Sequence, residues 1–305
     1  MLVVKYRNWF FAFSIITVAL AIVAFFGWGL NFSIDYTGGT LAQYSFAQGR
    51  PAPEDIKADL APLALGEYTL QPTGTNDYII RSKFLSETDH QALAAALSQA
   101  GKVKVSEVQF DSVGPVIGSE LKQKALIAIV LVILCIVIFI AFAFRKVSEP
   151  VASWKYGVIA IIALVHDIAI PAGVFALLVH FRGAQIDILF TTALLACLGL
   201  SINDTIVVFD RIRENLKHRQ SKESFSDVVG KSLNQTYIRS FNTSLTVILA
   251  LLSLFLFGGD TTRNFALTLL VGMIAGTYSS IFLASPLLVV INNMQERKKL
   301  AMKKS

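Results

Sequence analysis

The chain has 305 residues, of which 54% are hydrophobic, and its formal net charge at pH 7 is +6. Its mean hydropathy of +0.60 lies well outside the range of soluble globular proteins. The composition therefore excludes an ordinary soluble protein and indicates a protein that is embedded in a membrane.

About 20 apolar residues are needed to cross the hydrocarbon core of a bilayer, and six stretches of the sequence qualify. The predicted spans are Trp9–Leu30, Ala125–Phe144, Trp154–Phe181, Ile186–Phe209, Phe241–Phe257 and Phe265–Ile291. The first span follows two basic residues, as the core of a signal peptide would. Its apolar run is longer than a normal signal core, which favours an uncleaved anchor helix.

The distribution of basic residues predicts the orientation of the spans. The only basic residues of the two short outer loops are Arg182 and Arg263, whereas the segments that we assign to the cytoplasm are rich in lysine and arginine. This bias places both termini in the cytoplasm of a multi-pass protein in a cell membrane. The net positive charge is therefore attributed to topology and to contact with anionic membrane lipids, with no role for nucleic acid. The basic residues of the cytoplasmic segments are Lys5, Arg7, Arg145, Lys146, Lys155, Arg211, Arg213, Lys217, Arg219, Lys222, Lys231, Arg239, Arg297, Lys298, Lys299, Lys303 and Lys304.

Between the first and second spans lies a segment of ordinary soluble composition, from Asn31 to Lys124. Alternating apolar residues, helix caps and turn residues predict the order β-α-β-β-α-β, which is that of a ferredoxin-like α+β module. Ser86 and Asp89 predict a capped start for its second helix, and His90 is expected to be solvated. The segment contains no evident catalytic set, so both a docking domain outside the membrane and a structural plug stay open. The predicted elements are Thr40–Phe46, Pro53–Leu63, Tyr68–Thr73, Tyr78–Lys83, Glu87–Ala100 and Val103–Asp111.

A short turn motif follows directly after the first span. Asp35 precedes the adjacent glycines Gly38 and Gly39, which indicate a tight turn from helix to strand. Asp35 is suited either to capping this turn or to projecting into a pore entrance, and the pattern favours capping.

Asp204 is the most informative single residue, since it falls inside the fourth predicted span beside Asn203. A carboxylate in hydrocarbon costs about 2.5–3.5 kcal/mol on insertion scales, so such a residue is a functional candidate. Because a carboxylate takes up and releases protons, it suggests coupling to a proton gradient. We therefore identify Asp204 and Asn203 as proton-coupling candidates.

Arg239 enters the fifth span at a depth comparable to that of Asp204, followed by Asn242 and Thr243. Its guanidinium is able to snorkel to the lipid headgroups. Alternatively, it approaches Asp204 and favours the ionised carboxylate, because an opposite charge within about 4–6 Å has that effect. The sequence leaves both alternatives open.

His166 and Asp167 lie near the middle of the third span. No further ligand occurs at a matching depth, so the pattern disfavours a metal site and favours a polar hinge or proton relay that contacts the Asp204 helix. In the sixth span, Gly272 and Gly276 predict close helix packing, and Ser279 and Ser280 add polar groups. Four further residues are interpreted structurally: Cys135 and Cys197 as packing residues, and Pro171 and Pro286 as helix kinks.

The motifs resemble the SecF family of the bacterial Sec protein-export machinery. The resemblance covers nearly the whole chain in order, except that Leu200 replaces a tyrosine often found there and the loop with Ser148, Glu149 and Pro150 is slightly long. The segments that carry it are Asp35–Thr40, Val113–Pro115, His166–Asp167, Gly199–Thr205, Asp210–Asn215, Arg239 with Asn242–Ser244, Phe257–Gly259 and Gly276–Ile281.

The resemblance implies an RND-type membrane domain and a role in proton-motive-force-driven export. It implies a separate SecD partner, the SecYEG channel, an unfolded preprotein substrate and a functional link to the SecA ATPase. It also implies that Asp204 and Arg239 take part in proton flow. No enzymatic activity, cofactor or metal is expected.

The predicted fold is a multi-pass α-helical membrane protein of six transmembrane helices with one ferredoxin-like extracytoplasmic domain. The expected divisions are residues 1–30 for the tail and first span, 31–124 for the outer domain, 125–291 for the remaining spans and 292–305 for a basic cytoplasmic tail. Three other functions stay open: an RND-type exporter of small molecules or lipids, an intramembrane hydrolase built on Asp167 and Asp204, and a passive scaffold.

Overall fold

The computed structural model of the chain describes residues 2–29, 31–63, 65–99, 101, 103–144, 151–219 and 223–302. The chain divides into two compact units, one of Met1–Asn31 with Ile127–Ser305 and one of Phe32–Leu126. Several residues named in the sequence analysis lie outside the described part: Leu30, Ala100, Arg145, Lys146, Ser148, Glu149, Pro150, Lys222, Lys303 and Lys304.

Six helices of the described chain are long and apolar enough to cross a membrane, as predicted. The helices that form or border the first unit are α1 (Leu2–Lys5), α2 (Arg7–Trp28), α6 (Pro115–Ala143), α7 (Ser153–Arg182), α8 (Ile188–Lys217), α9 (Phe225–Phe257), α10 (Asp260–Tyr278), a π-helical turn (Ser279–Ala284) and α11 (Ser285–Met302). The predicted sixth span is thus one helical path interrupted by a π turn.

The helices extend beyond the apolar stretches from which they were predicted. Helix α9 begins 16 residues before Phe241, at Phe225, where Ser224 and Asp227 form a reciprocal capping box at 3.1–3.2 Å. Because such a box satisfies backbone amides that the first helical turn leaves unpaired, a polar segment is able to start a helix. Hydropathy detects only the apolar part of each helix, which explains the difference in length. Pro171 lies inside α7 without ending it.

The second unit contains the predicted order of strands and helices. After the short helix α3 (Ile34–Thr37), its elements are β1 (Gly39–Phe46), α4 (Pro53–Leu60), β2 (Thr69–Thr73), β3 (Asp77–Ser82), α5 (Glu87–Leu97) and β4 (Val105–Val113). The strands form one antiparallel sheet in the order β2-β3-β1-β4. This arrangement is that of the split βαβ, ferredoxin-like module.

The helices of this unit pack on the sheet through one apolar cluster. Ile56 and Leu60 of α4 and Leu93 of α5 are buried in it, together with the aromatic strand residues Tyr44 and Tyr78. The predicted cap of α5 is present, since Ser86 Oγ accepts from the Asp89 amide and Asp89 Oδ2 accepts from the Ser86 amide. Helix α5 ends at Leu97, earlier than predicted.

His90 was expected to be solvated, but the structure shows it in contact with the sheet. Its Nε2 lies 2.6 Å from Glu107 Oε2 on β4, and its ring stacks on Phe110 with the centroids 3.7 Å apart. Tyr44 also donates a hydrogen bond of 3.0 Å to Glu107. The hydrogen bond to Glu107 raises the pKa of His90 above its ordinary value. The residue therefore links α5 to the sheet, a contact that the polar sequence around it did not indicate.

We expect the stability that His90 confers to depend on pH. The pKa of His90 is higher in the folded state than in the unfolded state. Its contribution to the free energy of unfolding is therefore complete below the unfolded pKa of about 6.5, and it is lost as the pH rises through the folded pKa. Calorimetry of the full chain in detergent should show a larger gap in melting temperature between wild type and His90→Gln at about pH 5.5 than at about pH 8.5. A gap of equal size at both pH values would contradict this prediction.

Candidate functional site

A cluster of polar side chains is buried among the apolar helices of the first unit. Its members come from α7, α8, α9, α10 and the π turn, and none is more than 4% exposed except Thr277, which is half-buried. Polar groups at membrane depth are costly unless they find partners, and they mark functional sites. The cluster consists of His166, Asp167, Ser201, Asp204, Thr205, Ser244, Thr277, Ser279 and Ser280.

Asp204 lies on α8 and is only 4% exposed. Its Oδ2 accepts a hydrogen bond of 3.1 Å from Ser244 Oγ on α9, and Thr277 Oγ1 on α10 lies 2.8 Å from the same hydroxyl. Three helices therefore meet at this carboxylate through neutral hydroxyls. Asp204 is buried as the sequence predicted, but its partner Ser244, and Thr277 as the partner of Ser244, were not predicted.

Arg239 does not meet Asp204 in this conformation. Its side chain is exposed, and the ion pairs of the described residues include none that involves Asp204. Helix geometry explains the separation: Arg239 precedes Ser244 by five residues, so the two side chains point about 140° apart at 100° per residue. Asn203, Asn242 and Thr243 are exposed for the same reason. A pairing of Arg239 with Asp204 would require a different conformation.

Asp167 forms a second centre and is fully buried. Its Oδ2 accepts hydrogen bonds from Ser201 Oγ of α8 and, at 2.8 Å, from Ser279 Oγ. Its Oδ1 lies 2.9 Å from Nδ1 of His166. The expected contact with the Asp204 helix is thus present, through Ser201. Asp167 and Asp204 contact different hydroxyls, an arrangement that offers no support for a paired-carboxylate hydrolase.

The π turn brings its serines to the site. Ser280 Oγ lies 2.8 Å from Thr205 Oγ1 of α8, one residue after Asp204, while the adjacent Ser279 contacts Asp167. A π turn widens the helix and shifts the direction of the side chains near it, and such turns are frequent at functional sites. Pro286 is the second residue after this turn. The sequence predicted a kink at Pro286 but did not indicate a π turn before it.

Close packing of α10 on α8 makes these contacts possible. A Cβ atom added at Gly272 would lie 2.1 Å from Cys197 Sγ, and one added at Gly276 would lie 2.7 Å from Ser201 Cβ. No side chain larger than hydrogen fits at either position without movement. The predicted packing role of both glycines and of Cys197 is therefore confirmed.

The turn motif of the second unit joins α3 to β1. Ser33 is the N-cap of α3, and its Oγ accepts from the Asp35 amide at 3.2 Å. Gly38 and Gly39 have φ values of 75° and 127°, which glycine adopts far more readily than other residues. A Cβ on Gly38 would also lie 2.6 Å from Cα of Pro115. The two glycines thus serve a tight turn, as predicted.

The described residues contain no group of three or more His, Cys, Asp or Glu that could hold a metal ion. The membrane cluster itself contains carboxylates, hydroxyls and one imidazole. These groups bind and release protons and exchange hydrogen bonds.

Comparison with known proteins places the chain in a family. A model of the C-terminal region of the SecD/SecF protein export membrane proteins matches residues 92–294. The protein translocase subunit SecF of Thermobaculum terrenum is 42% identical, with 95% of this chain and 94% of the relative covered. The SecF subunit of Anaerolinea thermophila is 39% identical, with 93% and 92% covered.

Solved structures agree with these sequence relatives. The crystal structure of SecDF, a translocon-associated membrane protein from Thermus thermophilus, matches with a TM-score of 0.79 at 34% identity, over 95% of this chain and 38% of that one. SecDF in its super-membrane-facing form matches with a TM-score of 0.66 at 33% identity, over 98% and 39%. The chain thus spans well under half of each solved protein. By sequence and by structure, it belongs to the SecD/SecF family of protein export membrane proteins, as a relative of the SecF translocase subunits.

Proposed function

We propose that the chain is a subunit of the bacterial Sec preprotein translocase that uses the proton-motive force to complete export. The observation that carries this proposal is Asp204, a buried carboxylate that accepts from Ser244 of α9, which in turn accepts from Thr277 of α10. Its curated relatives are named as translocase subunits. In this proposal the chain has no enzymatic role of its own.

In the proposed cycle, Asp204 takes up a proton from one side of the membrane and releases it to the other. The proton removes the negative charge that Ser244 stabilises, so α8, α9 and α10 are free to change their relative positions. Arg239, exposed in the present conformation, approaches the ionised carboxylate in another. One proton crossing 100 mV releases about 2.3 kcal/mol, enough to bias a modest conformational change at each step.

The partners follow from the same proposal. The solved relative is a SecDF protein of which this chain spans 38%, so SecD supplies the remaining part in a heteromeric complex. That complex acts at the SecYEG channel on an unfolded preprotein after SecA has driven it forward. Both termini lie in the cytoplasm, and the ferredoxin-like unit lies outside, where it contacts substrate or partner.

The exposed side of α9 offers a surface for SecD. Tyr237, Ile238, Phe241 and Leu245 are all large and exposed there, and they lie within about 100° of one another around the helix. In a bilayer such residues pack on lipid or on a neighbouring helix, and in this proposal the neighbouring helix belongs to SecD.

Pulse-labelling of a secretory precursor tests the proposed function. Cells depleted of the chain should accumulate unprocessed precursor, and re-expression should clear it. A protonophore should abolish the difference between depleted and complemented cells. If depletion leaves precursor processing unchanged but sensitises cells to small toxic molecules, the chain is an exporter rather than a translocase subunit. If the difference survives the protonophore, the coupling to protons is wrong.

A further inference from the structure

His166 has a buried nitrogen that the cycle of Asp204 does not use. The residue lies on α7 and is 3% exposed. Its Nδ1 contacts Asp167 at 2.9 Å, whereas its Nε2 is buried without a hydrogen-bond partner among the described residues. A buried polar atom without a partner costs free energy and requires an explanation.

The hydrogen bonds of Asp167 determine which nitrogen of His166 carries hydrogen. The carboxylate accepts from two serine hydroxyls at Oδ2, and an ionised carboxylate has no hydrogen to give. With Asp167 ionised, Nδ1 of His166 is the donor to Oδ1. A neutral imidazole carries only one N–H, so Nε2 then presents a bare lone pair.

We propose that Nε2 of His166 is a second proton-binding site, separate from Asp204, whose occupation forms an imidazolium–carboxylate pair with Asp167. The proton adds to the Nε2 lone pair and no bond breaks. The charge of the His166–Asp167 pair changes from −1 to zero. Occupation of Nε2 converts the unpaired buried charge of Asp167 into a paired one, and a paired buried charge costs far less free energy. This inference rests on the proposed proton coupling and extends it to a second residue.

The elements packed around His166 provide no competing charge. From α10, the Tyr278 ring stacks on the imidazole with the centroids 5.9 Å apart. From α8, Ser201 and Cys197 lie near Asp167, and the π turn contributes Ser279. These groups are a phenol, a thiol and two hydroxyls. Among these printed contacts of the pair, Asp167 is the one carboxylate, and the proton on His166 decides the charge of the pair.

The contacts of the His166–Asp167 pair also show which helices a change in its charge would affect. The Tyr278 hydroxyl donates to the Phe10 carbonyl of α2 at 2.9 Å and lies 3.4 Å from Ser14 Oγ. Asp167 holds α8 through Ser201 and the π turn through Ser279. Protonation of His166 thus alters a centre that joins α7 to α2, α8 and the π turn.

Nitrogen NMR of the full chain in phosphatidylglycerol–phosphatidylethanolamine vesicles, labelled with ¹⁵N-histidine, tests the inference. The chain has four histidines, and the signals of His166 are those lost in His166→Asn. The asparagine amide is able to replace Nδ1–H as donor to Asp167 but takes up no proton. His180→Asn, on the same helix but stacked on Trp28, is the matched control and should leave the His166 signals unchanged.

The expected result is an Nδ1–H tautomer at about pH 9 that converts to the doubly protonated ring as the pH falls towards about 5. An Nε2–H tautomer, or a ring that stays neutral throughout this range, would overturn the inference. The spectrum requires no export, so it separates this inference from the proposed function. In an Asp204→Asn background the conversion should persist. A protonating His166 in a chain that does not support export would leave the second site intact and refute only the translocase proposal.

Discussion

Replacement of Asp204 by asparagine should reduce export to the level of cells that lack the chain. Asparagine has nearly the same size and its amide oxygen still accepts from Ser244, whose Oγ lies 3.1 Å from the carboxylate. The variant therefore keeps the packing of α8 on α9 but removes the group that binds a proton. Precursor processing should be measured by pulse-labelling at matched amounts of membrane-inserted protein.

Two further substitutions make this experiment specific. Asp204→Glu keeps a proton-binding carboxylate but adds a methylene at a position only 4% exposed, so its activity should be intermediate. Asn203→Ala changes the neighbouring residue, whose side chain is exposed, and should export normally. Full activity of Asp204→Asn would refute the role of the carboxylate and would favour the passive scaffold.

Replacement of Gly272 by alanine should destabilise the membrane domain by about 1–3 kcal/mol, which is typical of overpacking in a tight core. The added Cβ would lie 2.1 Å from Cys197 Sγ, so α10 must move away from α8. That movement would also pull Ser279 from Asp167 and Thr277 from Ser244. Thermal unfolding in detergent and the amount of protein in membranes should both show the loss.

A compensating substitution tests whether this contact is the cause. Cys197→Ala removes Sγ and leaves Cβ at 3.1 Å, so the double variant should recover most of the stability lost in Gly272→Ala. Gly199→Ala is the matched control on α8, since nothing lies within 4 Å of its added Cβ. Alanine is also the better helix former by about 1 kcal/mol, so this variant should be neutral or slightly stabilised. Equal losses at Gly199 and Gly272 would contradict the packing argument.

The sequence by itself determined the architecture of this protein. Six apolar stretches predicted six spans, and alternation with caps such as Ser86 predicted the ferredoxin-like unit and its order of strands. These features were predictable because hydropathy, periodicity and capping are properties of short segments of the chain. Asp204 and Asp167 were identified for the same reason, since a carboxylate within an apolar stretch can be recognised in the sequence even when its partner is unknown.

Only the tertiary structure decided which polar groups meet. Ser244 and Thr277 are 40 and 73 residues from Asp204 in sequence, and Ser279 is 112 residues from Asp167. Arg239 and Asn203 were expected at the site from their depth and nearness in sequence, yet both are exposed. His90 was expected in solvent, yet it contacts Glu107. The reason is geometric: side-chain direction changes by about 100° per residue along a helix, while the close approach at Gly272 and the π turn select the faces that pack together.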